Sequence, residues 1–158
     1  MLIEMAEGVG ALLKERGETI AVSESSSGGL VSAALLSVPG ASKYFLAGGV
    51  VYTGPARELI LGLPPTLPPE TRSSSEPYAL LCAQTIRTKA GATWGLAETG
   101  AAGPTGNRYG DSAGHTCVAV SGAAEHVLTV ETRVSDREAN MWMFARAALE
   151  LLERTLRA

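Results

Sequence analysis

Thr19-Ile20-Ala21-Val22-Ser23-Glu24-Ser25-Ser26-Ser27-Gly28-Gly29-Leu30 is the stretch on which the fold turns. Its first four residues form a short β-type run, and the residues from Leu30 to Val38 carry a helical pattern. Between them lie serines and glycines, the composition of a tight turn. A strand that turns directly into a helix exposes its turn side chains. It also presents the free N–H groups of the first helical turn, whose partial positive charge suits an oxyanion or a phosphate. The serines admit two readings. In one, Ser25, Ser26 or Ser27 caps the helix and the glycines tighten the turn. In the other a serine is a nucleophile, because three in a row exceed what one cap requires.

Outward from this turn, Leu2, Met5, Ala6, Val9, Leu12 and Leu13 recur at helical spacing until Gly17, which predicts a helix over about residues 2–16. A first strand follows at about 19–23, and after the turn a helix runs to Val38, stopped by Pro39-Gly40. Leu46 to Thr53 reads as a second strand, so the start of the chain is a βαβ unit with parallel strands. Pro55 opens a short helix over Ala56 to Leu61, and Gly62 to Pro69 is a proline-rich connector. Ser75, Glu76 and Pro77 launch a helix to about Lys89. A third strand is expected at 93–99, a Gly-rich loop from Gly100 to Gly114, and strands at about 115–121 and 126–134 around the hairpin signal Gly122-Ala123-Ala124-Glu125. Arg137 to Leu156 is the last helix. The expected class is α/β: a mixed sheet covered by helices in α/β/α layers, with a βαβ start and an antiparallel hairpin near the C-terminus, in a single domain spanning 1–158.

Composition narrows the function classes. The chain has 158 residues, 46% of them hydrophobic, enough for one substantial core. Net charge is −3 and the isoelectric point about 5.4, with no basic run to track a phosphate backbone, so no nucleic acid is expected as partner. Glu4, Glu7, Lys14 and Glu15 interrupt the first helix, unlike a signal peptide, and no apolar run is long enough for a membrane span, so a cytoplasmic protein is expected. Cys82 and Cys117 lack C-x-x-C spacing, which suggests neither zinc nor a disulfide framework.

In an open α/β sheet, ligands sit at the carboxyl ends of the strands. Three loops of this chain are expected to meet there: Glu24 to Gly29, Tyr52 to Arg57 and Gly100 to Gly110. Gly100-Ala101-Ala102-Gly103-Pro104-Thr105-Gly106 is neither a P-loop nor a dinucleotide fingerprint, since no Gly-Lys-Ser/Thr and no G-x-G-x-x-G is present. Taken alone it reads equally as a flexible connection.

Together these segments resemble the CinA C-terminal domain family, whose active members are nicotinamide mononucleotide deamidases. Glu24-Ser25-Ser26-Ser27-Gly28-Gly29 is similar to its E-S-C-T-G-G signature, and Val51-Tyr52-Thr53-Gly54-Pro55-Ala56-Arg57 to T-Y-S-N-x-x-K. Ser75-Glu76-Pro77 matches V-S-E-P, Thr99 to Gly106 resembles S-G-I-A-G-P-x-G, and Asp136-Arg137 echoes G-D-R. The resemblance implies metal-free and cofactor-free amide hydrolysis of nicotinamide mononucleotide to nicotinate mononucleotide and ammonia. It places the nucleophile at Ser25, a tyrosine at Tyr52 and the catalytic lysine at position 57. The N–H groups of the Ser26 to Gly28 turn would hold the oxyanion. It further implies substrate contacts from Glu24, Ser26, Ser27, Gly28 and Gly29 in the turn and from Gly100, Ala102, Gly103, Thr105 and Gly106 in the Gly-rich loop. Arg108 and Arg137 are candidate phosphate partners. The implied partner is a small nucleotide ligand, and the protein is expected to be a homo-oligomer.

Several positions depart from the family pattern. Position 57 is arginine, whose guanidinium keeps its proton and cannot serve as the neutral amine of a Ser/Lys pair. Gly54 replaces asparagine, Ser26 replaces the cysteine after the nucleophile, Asn140-Met141-Trp142 replaces an expected second arginine, and Glu98 stands where the family is usually uncharged. The chain therefore reads as an amidohydrolase-like protein with its base substituted, or as a catalytically silent homologue that binds a nucleotide or a partner. Lys43 reads first as an exposed helix-turn residue and second as a replacement base. His115 with Asp111 as orienting acid would complete a Ser/His/Asp set, although a histidine entering a strand is usually packed or solvated. Glu24 points away from Ser25 in extended backbone and reads first as a residue that orients the turn.

Overall fold

The computed structural model describes residues 2–158. Its sheet has five strands in the order β2-β1-β3-β4-β5. Strand β1 (Ile20–Glu24) lies parallel to both β2 (Phe45–Val50) and β3 (Trp94–Ala101), while β4 (His115–Ser121) and β5 (His126–Glu131) continue antiparallel from β3. The mixed α/β class and the C-terminal hairpin are as expected.

Helices cover both faces of this sheet. On one, α1 (Leu2–Arg16), α2 (Leu30–Leu36) and α5 (Arg137–Arg157) pack over Ile20, Val22, Leu96, Val118 and Val120. On the other, α4 (Glu76–Ala90) covers Ala21, Ala97, Cys117 and Ala119. The alternation along β1 and β4 sends the large side chains to the three-helix layer and the small ones to α4, so α4 approaches the sheet closely. At Gly95 a Cβ would collide with the carbonyl oxygen of Ala83 in α4. Both cysteines lie in this second layer, where burial pushes each thiol up to about 11 and keeps it protonated. Among the described residues no helix is long and apolar enough to cross a membrane.

Several element ends differ from the sequence reading. Strand β3 continues through Gly100 to Ala101, which the sequence reading places in the Gly-rich loop, because both residues pair with β4, and α2 stops at Leu36 rather than Val38. Three other differences have a local reason. Strand β2 stops at Val50 rather than Thr53, because Thr53 caps the next turn by accepting a hydrogen bond from Ala56 N at 3.2 Å. That turn, α3 (Gly54–Ala56), begins before Pro55 and widens into a π-type turn over Arg57–Leu61. Strand β5 ends at Glu131 rather than residue 134: Thr132 N turns to Gly114 O, and Arg133 adopts a left-handed conformation at φ 61°. The proline-rich connector ends in a short 3₁₀ turn, Pro69–Thr71.

Candidate functional site

The turn after β1 is built by two buried carboxylates rather than by a serine cap. Glu24, fully buried, accepts from Ser27 Oγ (2.7 Å), Gly29 N (2.9 Å), Val31 N (3.1 Å) and Ser32 N (2.9 Å), and so supplies the cap of α2 in trans to its N-cap residue Gly29. Gly28 and Gly29 take positive φ values of 66° and 102°, which lets the chain reverse over this carboxylate. From the next strand, Glu98 accepts from Ser25 N (3.1 Å), Ser27 N (2.8 Å), Ser26 Oγ (2.5 Å) and Thr116 Oγ1 (2.8 Å). Helix-terminal N–H groups and hydroxyls thus satisfy both acids without a cation.

This arrangement corrects the expected oxyanion hole. Ser27 N is taken by Glu98 and Gly28 N by Ser25 O at 3.0 Å, so of the Ser26–Gly28 amides only Ser26 N–H is left without an acceptor among the described residues. Ser25 Oγ is also without a protein partner, and it opens into a cleft of about 340 Å³ at the carboxyl ends of the parallel strands. That volume lies at the small end of the range for ligand pockets.

Tyr52, Arg57, Gly100 and Arg108 line the same cleft, as do Ser73, Ser74, Tyr78, Thr99, Asn107 and Tyr109. The sequence reading gathers the first group and misses most of the second. Ser73 and Ser74 sit directly before the Ser75-Glu76-Pro77 motif, and Asn107 and Tyr109 flank Arg108, so proximity to known motifs was the available signal. Ser74 is unusual: buried, at φ 62° despite being serine, with its N–H donating to Thr99 Oγ1 at 3.1 Å.

Arg57 is buried to 8% exposure, and its guanidinium is fixed on three sides. Nε donates to Tyr78 OH (2.9 Å), Nη1 to Pro65 O (2.7 Å) and Nη2 to Ser73 Oγ (2.7 Å), while the Tyr78 ring lies 4.8 Å below it. None of these partners is an acid. Burial raises the Tyr78 phenol well above its ordinary value, more than the nearby guanidinium lowers it, so it remains a neutral hydroxyl.

The other candidate residues fall elsewhere. Arg137 is a strut: Nη2 donates to Tyr52 OH (2.9 Å) and Nη1 to Gly103 O (2.5 Å). Ala102 is buried with its carbonyl on Asn140 Nδ2 (2.7 Å), Thr105 is exposed, and Gly106 packs on the Asp111 backbone. None of these residues lines the cleft, nor do Glu24, Ser26, Ser27, Gly28, Gly29 or Gly103. Lys43 is exposed on the 3₁₀ turn before β2, and because β1 and β2 are parallel this is the sheet end opposite Ser25. The Ser/His/Asp set does not form. His115 Nδ1 meets Glu131 Oε1 at 2.5 Å and Nε2 meets Ser74 O at 2.7 Å, while Asp111 is held by Arg72 (2.6 and 3.3 Å) and Asn107 (2.8 Å). Among the described residues no histidine, lysine or carboxylate lines the cleft.

Fold and site together define a three-layer α/β domain with a serine-bearing, cationic cleft at the carboxyl ends of its parallel strands. The model of the CinA C-terminal domain matches residues 2–156, and the chain belongs to that family. It is 39% identical over 150 residues to a CinA-like protein of Desulfosudis oleivorans, covering 94% of this chain and 36% of the relative. To a CinA-like protein of an Anaeromyxobacter species it is 38% identical over 154 residues, covering 98% and 38%. The chain thus spans little more than a third of the length of these curated relatives. Solved structures agree: a CinA superfamily protein from Enterobacter cloacae superposes with TM-score 0.89 at 28% identity, covering 99% of this chain and 92% of the other. The competence/damage inducible protein CihA from Agrobacterium tumefaciens gives 0.88 at 26% identity, covering 99% and 96%.

Proposed function

We propose that this domain binds a nicotinamide mononucleotide-type ligand in the Ser25 cleft but lacks the proton acceptor that the deamidase members of its family use. The observation that carries this reading is Arg57. At the position of the family's lysine stands a guanidinium with three fixed donors, in a cleft that no histidine, lysine or carboxylate lines among the described residues. A guanidinium stays protonated at any physiological pH, so it cannot take the Ser25 proton. Its charge, with that of Arg108, suits the phosphate of the ligand. Ser25 Oγ, open to the cleft, supports an acyl-transfer reading as well, with the unpaired N–H of the adjoining Ser26 as the one donor the turn has left for an oxyanion. What is missing is activation of the hydroxyl, a contribution of about 10²- to 10⁴-fold.

Calorimetry with nicotinamide mononucleotide, alongside assays of ammonia and nicotinate mononucleotide, tests both halves of this reading. Wild type should bind the nucleotide and release at most trace product. Arg57→Lys, assayed at low temperature because it gives up part of the fork to Pro65 and Ser73, should release product at least ten-fold faster, about 1.4 kcal/mol of barrier. Ser25→Ala on that background should abolish the gain. Rapid, Ser25-dependent turnover by wild type would defeat the silent half, and absence of binding would defeat the ligand.

A further inference from the structure

A second cavity of about 350 Å³ adjoins the Ser25 cleft, sharing Arg57, Pro65, Ser73, Arg108 and Tyr109 with it and continuing beneath the proline-rich connector past Thr66 and Leu67 to Arg72. Among the described residues three guanidinium groups border it, and no carboxylate does. Asp111, which pairs with Arg72 at 2.6 Å, offsets one of these charges from outside the lining. Glu58 and Glu70, the acids nearest in sequence, do not face it. Among the described residues Arg57 and Arg108 have no acidic partner: the first is spent on neutral oxygens, and the second donates to Tyr109 OH at 2.9 Å.

Positive charge so placed is unusual in a chain of net charge −3. Arg57 is buried without a counter-ion, which is costly, and an anion entering the cavity relieves that cost; Arg108 is exposed and adds its charge at the junction. The two cavities meet at Arg57 and Arg108, so an anionic group bound there can carry substituents into both. Each cavity has the volume of a small pocket, and together they form a two-chambered site with its positive charge at the junction.

We propose that the second cavity takes the second phosphate and the second nucleoside of a pyrophosphate-bridged nicotinamide dinucleotide, so that the ligand class of this domain is the dinucleotide rather than the mononucleotide alone. The proposal rests on the reading of the Ser25 cleft as a nicotinamide-nucleotide pocket. The pyrophosphate would lie at Arg57 and Arg108, with the nicotinamide half at Ser25 and the other nucleoside under Thr66 and Leu67.

Thr66 gives a clean handle, because it is exposed, lines only the second cavity and makes no hydrogen bond among the described residues. Thr66→Glu puts a carboxylate against the second nucleoside in a cavity that also receives the pyrophosphate, and Thr66→Gln adds the same bulk without charge. Calorimetric titration of nicotinamide mononucleotide and of nicotinamide adenine dinucleotide into all three proteins reads the effect. The dinucleotide should bind wild type at least ten-fold more tightly than the mononucleotide. Thr66→Glu should cut that ratio at least five-fold further than Thr66→Gln does, the difference between the two being the effect of the charge. Mononucleotide binding with no preference for the dinucleotide overturns the second chamber and leaves the Ser25 reading standing. A dinucleotide that binds, is weakened by Thr66→Glu, and has no mononucleotide counterpart supports the second chamber and removes the nicotinamide pocket. Failure of both ligands removes both.

Discussion

At the scale of single residues, the chemistry here is decided by what each polar group is already holding. Glu98 shows this most clearly, because one carboxylate fixes three consecutive serines and ties them to Thr116. Glu98→Gln preserves shape but turns a donor toward N–H and O–H groups that need an acceptor. It should destabilise the fold by about 2 kcal/mol, within the range for hydrogen bonds to a charged group. The Ser25 turn should loosen at the same time. Urea unfolding measures the first effect and amide exchange at Ser25 and Ser27 the second; unchanged protection at those amides would refute the role assigned to Glu98. The sequence presents Glu98 only as a departure from a pattern. Its four partners lie 18 or more positions away, in contacts that no local spacing encodes. Arg57 is the converse case. Its identity alone excludes it as a base, while its burial against Tyr78, Pro65 and Ser73 emerges only when the connector folds over it.

At the scale of elements, the close seating of α4 sets the width of the cleft. Tyr78, in the first turn of that helix, carries the Arg57 contact, and Ser75 caps the helix by accepting from Tyr78 N at 3.3 Å. The helix lies close because Ala21, Gly95, Ala97 and Ala119 face it with little or no side chain. Gly95→Ala pushes a methyl group into the Ala83 carbonyl, which belongs to helix backbone and cannot rotate aside. A loss of about 3 kcal/mol is expected, at the upper end for overpacking, with the mononucleotide affinity falling in parallel as Tyr78 and Arg57 move outward. Thermal unfolding and calorimetry on the same samples check this, and a variant as stable as wild type would mean that α4 is not seated as described. The helices and strands themselves were legible because their apolar periods are strong. Their ends were not, since Thr53 chose to cap rather than extend β2, and Arg133 turned the chain away from β5. The three-loop convergence was also foreseen, but most of the Gly-rich loop turned instead toward Asn140, Arg137 and Asp111, and only Gly100, with Asn107, Arg108 and Tyr109 beyond the motif, reached the cleft.

At the scale of the whole molecule, one buried histidine joins the outer hairpin to the wall of the cleft, and this makes stability depend on pH in a predictable direction. His115 begins β4, pairs with Glu131 of β5 through Nδ1, and donates through Nε2 to the carbonyl of Ser74, which lines the cleft; Asp111 lies 3.6 Å from the same nitrogen. Burial opposes a charge on the ring. The bond to Glu131, the Ser74 carbonyl and the two acids outweigh it, and the pKa is raised above the ordinary histidine value. The folded protein therefore holds this proton more tightly than the unfolded chain does. The resulting stabilisation is complete below the unfolded pKa of about 6.5 and is lost as pH rises through the folded value. Asp111 works on the opposite side: its pKa is lowered, because the bonds from Arg72 and Asn107 overcome its burial, so its contribution is present above the ordinary carboxylate range and disappears in acid. Unfolding free energies of wild type and His115→Gln, measured at intervals from about pH 5 to 9, should converge as pH rises, since the advantage of wild type is the part carried by the proton. A difference that stays constant across that interval would show that the imidazolium contributes nothing. Because only the doubly protonated ring donates to both Glu131 and Ser74 O, mononucleotide affinity should weaken over the same interval in wild type and stay flatter in the variant, coupling the hairpin to the site it does not touch.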